Sequence, residues 1–377
     1  MTKKLAIIST HPIQYYAPVF QLLAKQTSLK VFYTWGEQAM HKYDKGFNQY
    51  IAWDIPLLEG YDYIFLKNTA KDPGTHHFRG IVNPGLIEEV QNYGPDAILV
   101  YGWAWQSHLK ALRFFKGHIP VYFRGDSTLL NKQSGLINSL KSIFLKWVYR
   151  HIDTAFYVGT ANKAYFMAYG LKSDQLVFAP HAIDNLRFSE QRTAEALALR
   201  KDLGISNRDT LVLFAGKLET VKNPMLLLRA FKELDLPNVQ LLFVGNGILE
   251  AELKAAKNSK IHFLDFQNQT MMPVVYQACD LCCLPSQNES WGLAINEAMA
   301  AGRAVLASSQ VSCSIDLISA ENGAIFKCND LLDLKQKLIA LTSTKEHLQE
   351  MGQNSSQKIR QWSFQKQAKA ISSYVNR

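Results

Sequence analysis

The chain has 377 residues, 47% of them hydrophobic and 19% charged, so at about 150 residues per domain it can bury two or three cores. This composition excludes a disordered chain, a collagen and a disulfide-stapled miniprotein. With 41 Lys and Arg against 32 Asp and Glu, the net charge is +9, which favours acidic partners such as phosphates, nucleic acid or anionic lipid.

In the first half of the chain, short apolar runs alternate with amphipathic helical stretches. The pattern predicts strands over residues 5–9, 29–34, 97–101, 120–123, 154–158 and 176–179. It predicts helices over 17–25, 84–93, 105–115, 136–149 and 160–169. The apolar run after the first lysines is too short for a signal peptide and indicates a first strand.

The second half repeats this scheme and ends in helices. Strands are predicted over 211–215, 240–244, 261–264, 281–284 and 304–307. Helices are predicted over 190–202, 223–234, 249–257, 270–278 and 293–301, and the tail after residue 331 reads as helix with a break near 362–363. Continuous apolar strands separated by helices are typical of parallel sheets covered on both faces, so the sequence predicts an α/β fold of two doubly wound domains.

The seam between these domains is predicted near residues 183–210, with one domain over 1–185 and the other over 186–363. We expect the last segment, 364–377, to pack back on the first domain. Open α/β sheets bind ligands beyond the carboxyl ends of their strands, so a cleft between the domains is the expected site. The chain has neither a G-x-G-x-x-G motif after its first strand nor a P-loop motif, which argues against a dehydrogenase.

The five cysteines form an odd set in the second half of the chain: Cys279, Cys282, Cys283, Cys313 and Cys328. This favours a reduced, cytoplasmic compartment over a secreted one. Cys279 and Cys282 have the spacing of a metal motif, but no second Cys or His pair follows at finger spacing. They lie in an apolar run, so we interpret them as buried fillers of a strand and predict no metal site.

One segment combines two glutamates with a predicted helix start. A strand is followed by a loop that carries Glu289, then by Gly292, then by a helix that begins near Leu293 and carries Glu297 in its second turn. The N–H groups of a helix start attract anions, and two carboxylates beside an anion site suit the hydroxyls of a sugar and a ribose. Alternatively, both glutamates merely favour a helix N-terminus.

A second segment places lysines after a strand. Gly216 and Lys217 follow the strand over 211–215, and Lys222 comes five residues later, before the next helix. Two cations at a strand's carboxyl end can neutralise a diphosphate without a metal. The alternative is a pair of solvated loop lysines.

Together these segments resemble the retaining glycosyltransferases of the GT-B fold, in particular family four. The resemblance rests on Glu289-x7-Glu297, Gly216-Lys217-Leu…Lys222-Asn223, Phe243-Val-Gly245-Asn-Gly247 and Ala278-Cys-Asp280…Pro285-Ser286. It covers nearly the whole chain and is strongest from about Val177 onward. It implies two Rossmann-like domains facing across a cleft, the first binding the acceptor and the second the nucleotide sugar.

The resemblance also implies roles for individual residues. Glu297 binds the ribose of the donor, Glu289 contacts the transferred sugar, and Lys217 and Lys222 hold the diphosphate. Further donor contacts are implied for Gly216, Gly245, Gly247, Phe266 (at the base), Ser290, Trp291, Gly292 and Leu293. The family needs no metal, and this chain has no Asp-x-Asp motif; its co-substrate is expected to be a UDP- or GDP-sugar, with no other cofactor.

The first half departs from the family pattern. His11 stands where a glycine-rich loop is expected, Arg124 and Asp126 follow the strand after which the family commonly has a histidine, and His181 replaces an asparagine. His11, Arg124 and Asp126 are candidate catalytic residues by position. For His11, a turn residue that caps its own loop is an equal alternative.

The acceptor and the partners stay open at this stage. The acceptor is a glycan or other saccharide, a lipid-linked saccharide or a small metabolite, and the predicted helix 136–149 either packs on the core or contacts a membrane surface at the inner face. Competing functions are a nucleotide-sugar epimerase, a phosphorylase and a non-enzymatic nucleotide-binding scaffold. Lys and Arg are scattered without a basic stripe, which argues against a nucleic-acid partner.

Overall fold

The computed structural model describes residues 3–41, 43–44, 46–47, 49–130 and 136–376. It divides into two compact units. The first holds residues 1–42, 56–181 and 364–377, and the second holds 43–55 and 182–363. The predicted domain boundaries put residues 43–55 in the first domain, whereas in the structure this segment lies in the second unit.

The strands are, in chain order, β1 (Lys4–Ser9), β2 (Ser28–Tyr33), β3 (Tyr43–Asp44), β4 (Gln49–Tyr50), β5 (Asp62–Phe65), β6 (Ala97–Tyr101), β7 (Val121–Arg124), β8 (Thr154–Tyr157), β9 (Leu176–Phe178), β10 (Thr210–Ala215), β11 (Val239–Val244), β12 (Ile261–Leu264), β13 (Leu281–Leu284), β14 (Ala304–Ser308) and β15 (Gly323–Phe326). The helices are α1 (Ala17–Ala24), α2 (Leu86–Tyr93), α3 (Gln106–Phe115), α4 (Leu136–Tyr149), α5 (Thr160–Ala168), α6 (Asn185–Ser189), α7 (Thr193–Asp202), α8 (Pro224–Leu234), α9 (Glu250–Lys254), α10 (Met272–Ala278), α11 (Leu293–Ala300), α12 (Ser314–Leu317), α13 (Leu331–Leu341), α14 (Lys345–Ile359) and α15 (Phe364–Val375).

Each unit is built on one parallel sheet. The first has the order β5-β2-β1-β6-β7-β8-β9, and the second has the order β12-β11-β10-β13-β14-β15. In both sheets the strand order reverses beside the strand that comes first in the chain, β1 in one sheet and β10 in the other, which is the arrangement of a doubly wound sheet. The predicted fold class of two Rossmann-like α/β domains is therefore confirmed. Such a reversal point opens the crevice in which these sheets bind ligands.

The central strands are buried because helices cover both faces of each sheet. In β10, Leu211, Val212, Leu213 and Phe214 have no exposed surface. Full burial of one such side chain is worth about 1.5–3 kcal/mol relative to leaving it in water. This explains why the inner strands read as continuous apolar runs in the sequence.

The last helix, α15, belongs to the first unit. It packs against α1, where the Ser372 hydroxyl donates to Gln26 Oε1 at 2.7 Å. The Tyr122 hydroxyl on β7 donates to the Tyr374 carbonyl at 3.2 Å. These contacts join the end of the described chain to its beginning.

Four strands of the structure had no counterpart in the sequence prediction. β5 and β15 lie at the edges of their sheets, and β3 and β4 form a two-stranded antiparallel hairpin. An edge strand is covered less completely, so β5 carries the exposed Asp62 and Tyr63 instead of an apolar run. Each of the hairpin strands has two residues, too few for any period to show.

Cys282 is buried in a strand as predicted, whereas Cys279 is buried at the end of helix α10 and outside the strand. Cys282 and Cys283 lie in β13, and these two together with Cys279 and Cys313 are buried. Burial raises the pKa of all four thiols, which keeps them protonated and unreactive near neutral pH. Among the described residues, no helix combines the length and the apolarity that crossing a bilayer requires.

Candidate active site

The loops after β10 and β11 interlock through their backbones. The Gly216 N–H donates to the Val244 carbonyl at 3.0 Å, and the Leu218 N–H donates to the Asn246 carbonyl at 2.9 Å. Gly245 and Gly247 have φ of 129° and 157°, and a Cβ at Gly245 would lie 2.1 Å from the Gly216 oxygen. Gly245 and Gly247, which resemble the glycines of a donor-binding turn, are therefore required by the close packing of these two loops. This requirement holds with or without a bound ligand.

Lys222 and Glu289 form an ion pair between the loops that follow β10 and β13. Their side chains are 22% and 17% exposed, and the Ser286 hydroxyl also donates to Glu289 at 3.3 Å. The Gln287 N–H donates to the Val221 carbonyl at 2.8 Å and fixes the two loops together. Lys222 is therefore held beside the paired-glutamate segment, which excludes a freely solvated loop lysine.

Lys217 makes a second ion pair. Its Nζ lies 2.8 Å from Asp44 Oδ1 and 5.0 Å from the centre of the Phe47 ring. Partial burial acts to raise the pKa of Asp44, but the hydrogen bond and charge of Lys217 outweigh it and hold that pKa below its usual value. Both lysines of the predicted diphosphate site therefore already face a carboxylate.

The segment that carries Glu289 is fastened to the loop after β14. The Glu289 N–H donates to the Gln310 carbonyl at 3.1 Å, and the Ser312 N–H donates to the Glu289 carbonyl at 3.2 Å. The Ser312 hydroxyl donates to the Ser290 carbonyl. This backbone pairing fixes where the Glu289 side chain and the peptide of Ser290 lie.

Gly292 is the residue before helix α11 and has φ of 104°. A Cβ there would lie 2.7 Å from Val311 Cγ1, so a larger residue would displace the loop. Leu293 begins the helix, whose first N–H groups lack partners within the helix. The Trp291 side chain is buried and its indole N–H donates to Asn296 Oδ1 at 2.9 Å, so only the backbone of Trp291 is suited to contact a ligand.

Glu297 lies deeper than Glu289. It is 5% exposed, and the Tyr276 hydroxyl on α10 donates to its Oε2 at 2.8 Å. A carboxylate buried in the second turn and oriented by a tyrosine does more than favour a helix N-terminus, because its position is fixed by packing. Tyr276 was not identified from the sequence, since a single tyrosine in an apolar helix carries no signal of its own.

Phe266 follows β12 and lies in an aromatic cluster. Its N–H donates to Asn246 Oδ1 at 2.7 Å, which places it next to the glycine turn after β11. Its ring meets Phe47 edge-on at 4.9 Å and Trp53 at 6.2 Å. Phe47 and Trp53 come from the segment 43–55, which sequence reasoning did not connect with the second unit.

In the first unit, His11 follows β1, Arg124 is the last residue of β7, and Asp126 follows β7. His11 Nδ1 lies 2.9 Å from the Thr10 hydroxyl, and its ring meets Trp35 edge-on at 5.2 Å. Asp126 is half-buried, and its charge acts with burial to raise the pKa of Tyr16. The structure thus brings His11 and Asp126 to the carboxyl ends of the sheet, and the contact of His11 with its neighbour favours the loop-capping alternative.

Arg124 has different surroundings from those expected of a catalytic residue. It is buried, and its guanidinium donates to the carbonyls of Ala179 at 2.8 Å and Pro180 at 3.1 Å. This geometry favours a structural role, in which Arg124 joins the end of β7 to the chain after β9. Its charge also contributes, after burial, to lowering the pKa of the buried His181 to about 3, so that imidazole is neutral near pH 7.

One group of potential metal ligands occurs among the described residues. Ligand atoms of Asp72, His76 and His77 lie within 4.8 Å of one another in the loop between β5 and α2. His76 Nε2 already lies 3.0 Å from Asp72 Oδ2, and the group is largely exposed. None of the predicted site residues belongs to this group. The group therefore does not test the expected metal independence of the site, which stays a prediction.

Comparisons with known proteins agree with the resemblance noted above. Residues 196–358 match the family model of the glycosyl transferases group 1. The D-inositol 3-phosphate glycosyltransferase of Nocardia farcinica is 28% identical over 198 residues, which cover 49% of this chain and 43% of that protein. The enzyme of the same name from Mycobacterium sp. (strain KMS) is 32% identical over 157 residues, which cover 39% and 35%. The chain thus matches less than half the length of these relatives.

Similarity to solved structures extends over the whole chain. Anabaena HepE in complex with UDP has a TM-score of 0.76 at 16% identity, with 99% of both chains covered. Sucrose-phosphate synthase from Thermosynechococcus elongatus has a TM-score of 0.74 at 18% identity, covering 99% of this chain and 98% of that one. At these identities the likeness shows the fold. The chain therefore has the GT-B fold, and its residues 196–358 are similar to the glycosyl transferases of group 1.

Proposed function

We propose that this protein transfers a sugar from a nucleotide-diphosphate sugar to an acceptor hydroxyl, with retention of anomeric configuration and without a metal. The observation that carries the proposal is the Lys222–Glu289 pair, which joins the loops after β10 and β13 beside the start of α11. This pair brings together a cation that can neutralise a leaving diphosphate and a carboxylate that can bind hydroxyl groups. Both lie at the carboxyl ends of the strands of the second sheet. A hydroxyl-rich substrate with a phosphate leaving group fits that chemistry.

The proposed donor roles are those that the family resemblance implies, and the positions of the residues support them. Lys217 and Lys222 would neutralise the diphosphate, and the N–H groups at the start of α11 would share its charge. Glu289 would bind the transferred sugar, and the deeper Glu297 would bind the ribose. The ring of Phe266 would pack against the base. A UDP- or GDP-sugar is the proposed donor, and UDP is favoured because HepE was solved with UDP and glucose and with UDP-glucose.

The acceptor is proposed to bind in the first unit, near His11 and Asp126. A saccharide, a lipid-linked saccharide and a small metabolite all offer the required hydroxyl. Inositol 3-phosphate is the first small acceptor to test, because the relatives from Nocardia and Mycobacterium are named for it.

The test is a donor screen followed by a transfer assay. Thermal unfolding should be measured with UDP, GDP, ADP and their sugars, since a ligand at 100 times its Kd stabilises the folded state by about 2.7 kcal/mol. Transfer from the best donor should then release the nucleoside diphosphate in the presence of EDTA. A chain that binds none of these nucleotides would refute the proposed function, and turnover that requires Mg²⁺ or Mn²⁺ would refute the metal-independent mechanism.

Retention is expected to occur by substitution on one face of the sugar. A mechanism of two inverting steps needs a carboxylate nucleophile at the anomeric carbon, but Glu289 is paired with Lys222 and Glu297 is buried against Tyr276. We therefore expect the acceptor to attack beside the departing diphosphate and to give its proton to a phosphate oxygen. NMR of the product should show the anomeric configuration of the donor. An inverted product, or a covalent sugar adduct on Asp126 or Glu289 found by mass spectrometry, would contradict this mechanism.

We also propose that helix α4 contacts a membrane surface. Leu140, Ile143 and Phe144 are 70%, 67% and 41% exposed, while Leu145 on the same helix is buried in the core. The side chains of residues 136–138 lie outside the described part. Lys141, Lys146 and Arg150 are exposed on or directly after this helix, and an apolar strip bordered by cations suits an anionic lipid surface.

Vesicle flotation tests this contact. The protein should float with vesicles that contain anionic lipid, and the double variant Leu140→Glu/Ile143→Glu should lose most of that binding. Leu332→Glu on α13 replaces a leucine that is 65% exposed in the second unit and should bind like wild type. Equal binding of all three proteins would exclude α4 as the contact.

A further inference from the structure

The segment 43–55, here called the arm, departs from the first half of the chain and lies in the second unit. Its strands β3 and β4 pair antiparallel, with Asp44 opposite Gln49. Its far end is anchored before α10. There Asn268 Nδ2 donates to the Ala52 carbonyl at 2.6 Å, and the N–H and hydroxyl of Thr270 both donate to Asp54. The arm is thus fixed at one end and reaches the predicted donor site with the other.

The tip of the arm presents one carboxylate to the site. Asp44 Oδ1 accepts from the N–H groups of Gly46 at 2.8 Å and Phe47 at 3.1 Å, and from Lys217 Nζ at 2.8 Å. The two backbone donors hold the carboxylate in a tight turn, so its orientation toward Lys217 is built into the arm. An anion held by two N–H groups and one ammonium resembles a bound phosphate in its charge and its donors.

The shape of the tip fits the lysine closely. A Cβ at Gly46 would lie 2.5–2.8 Å from the Cδ, Cε and Nζ atoms of Lys217, so glycine is what allows the lysine to cross the turn. The Phe47 ring lies 5.0 Å from the same Nζ and packs against Phe266. The arm therefore contacts the residue proposed to hold the diphosphate and the residue proposed to pack on the base.

We propose that Asp44 is a built-in competitor of the donor: it occupies on Lys217 the place that a diphosphate oxygen takes, and nucleotide binding exchanges one contact for the other. This inference rests on the proposed function. A carboxylate and a phosphate that meet on one ammonium repel each other, so the bound diphosphate must displace Asp44 or share the lysine at a cost. The anchor at Asn268 and Thr270 keeps the arm in place while its tip moves.

The replacement of Asp44 by a diphosphate oxygen on Lys217 can be tested by measuring the affinity for UDP by isothermal titration calorimetry. Asp44→Asn keeps an oxygen for the turn but removes the charge, and we expect it to bind UDP about three- to tenfold more tightly, because the diphosphate no longer competes with a carboxylate for Lys217 in a partly solvated site. Lys217→Met should bind UDP more weakly. The double variant should bind like Lys217→Met, because Asp44 acts through the lysine.

The control is Asp235→Asn, which removes a carboxylate of the same kind from an ion pair with Lys260 and changes the net charge equally. It should leave UDP affinity unchanged. If wild type and Asp44→Asn bind UDP equally, or if Asp44→Asn binds more weakly, the competitor role is overturned while the proposed function stands. If neither protein binds UDP, GDP or ADP, the proposed function fails and the competitor role fails with it. Binding by Asp44→Asn alone would support both.

Discussion

Replacing Lys222 by alanine is expected to lower kcat by about 10²–10³-fold, the usual cost of losing one preorganised charge donor at a leaving group. The diphosphate gains charge as its bond to the sugar breaks, so the interaction with the Lys222 ammonium is stronger in the transition state than in the ground state. The lysine is also the partner of Glu289, so its loss frees the carboxylate proposed to bind the sugar. Initial rates over a range of donor concentrations separate kcat from KM.

Lys335→Ala is a matched control for this experiment. Lys335 pairs with Glu233 at 3.1 Å in the same unit but lies on α13, outside the proposed site, and its removal should leave kcat within about twofold of wild type, as for most surface ion pairs. A Lys222→Ala variant with unchanged kcat and a raised KM would show that the lysine binds the ground state and the transition state equally. That result would remove Lys222 from the leaving-group role.

Much of the fold could be predicted because its core strands have a strong local signal. A central parallel strand is covered on both faces, so β1, β10 and β11 read as largely apolar runs between helices. The edge strands β5 and β15 carry polar or small residues and lack such a run. The arm carries no signal either, since its strands have two residues each and its anchors, Asn268 and Thr270, are 216 residues away in sequence.

The residues of the candidate site also fall into two groups, those that a local motif identifies and those that only long-range contacts bring together. A motif that is local in sequence, such as Glu289 to Glu297 on one loop and one helix, can be recognised from the order of its residues alone. The pairing of Lys222 with Glu289 spans 67 residues and that of Lys217 with Asp44 spans 173, and no periodicity connects residues so far apart. Arg124 shows what position in the sequence does not reveal, because its place at the end of a strand suggested catalysis while its burial against carbonyls favours a structural role.

The two glutamates should separate nucleotide binding from sugar transfer. Glu297 is buried and oriented by Tyr276, so Glu297→Gln removes the charge from a fixed acceptor of ribose hydroxyls and should weaken UDP binding about tenfold, the size of one charge-assisted hydrogen bond. Glu289 faces Lys222 nearer the surface, where the transferred sugar is proposed to lie. Glu289→Gln should therefore lower kcat by about 10²-fold without weakening UDP binding.

Calorimetry with UDP and a transfer assay, run on the same preparations, measure both quantities. Glu233→Gln on α8, which removes a more exposed carboxylate that pairs with Arg229 and Lys335, should change neither. UDP lacks the sugar, so losing the contact between Glu289 and the sugar cannot weaken UDP binding, and freeing Lys222 from its carboxylate partner can only strengthen it. An equal loss of UDP affinity in Glu289→Gln and Glu297→Gln would therefore contradict the division of roles, and would place both carboxylates at the nucleotide.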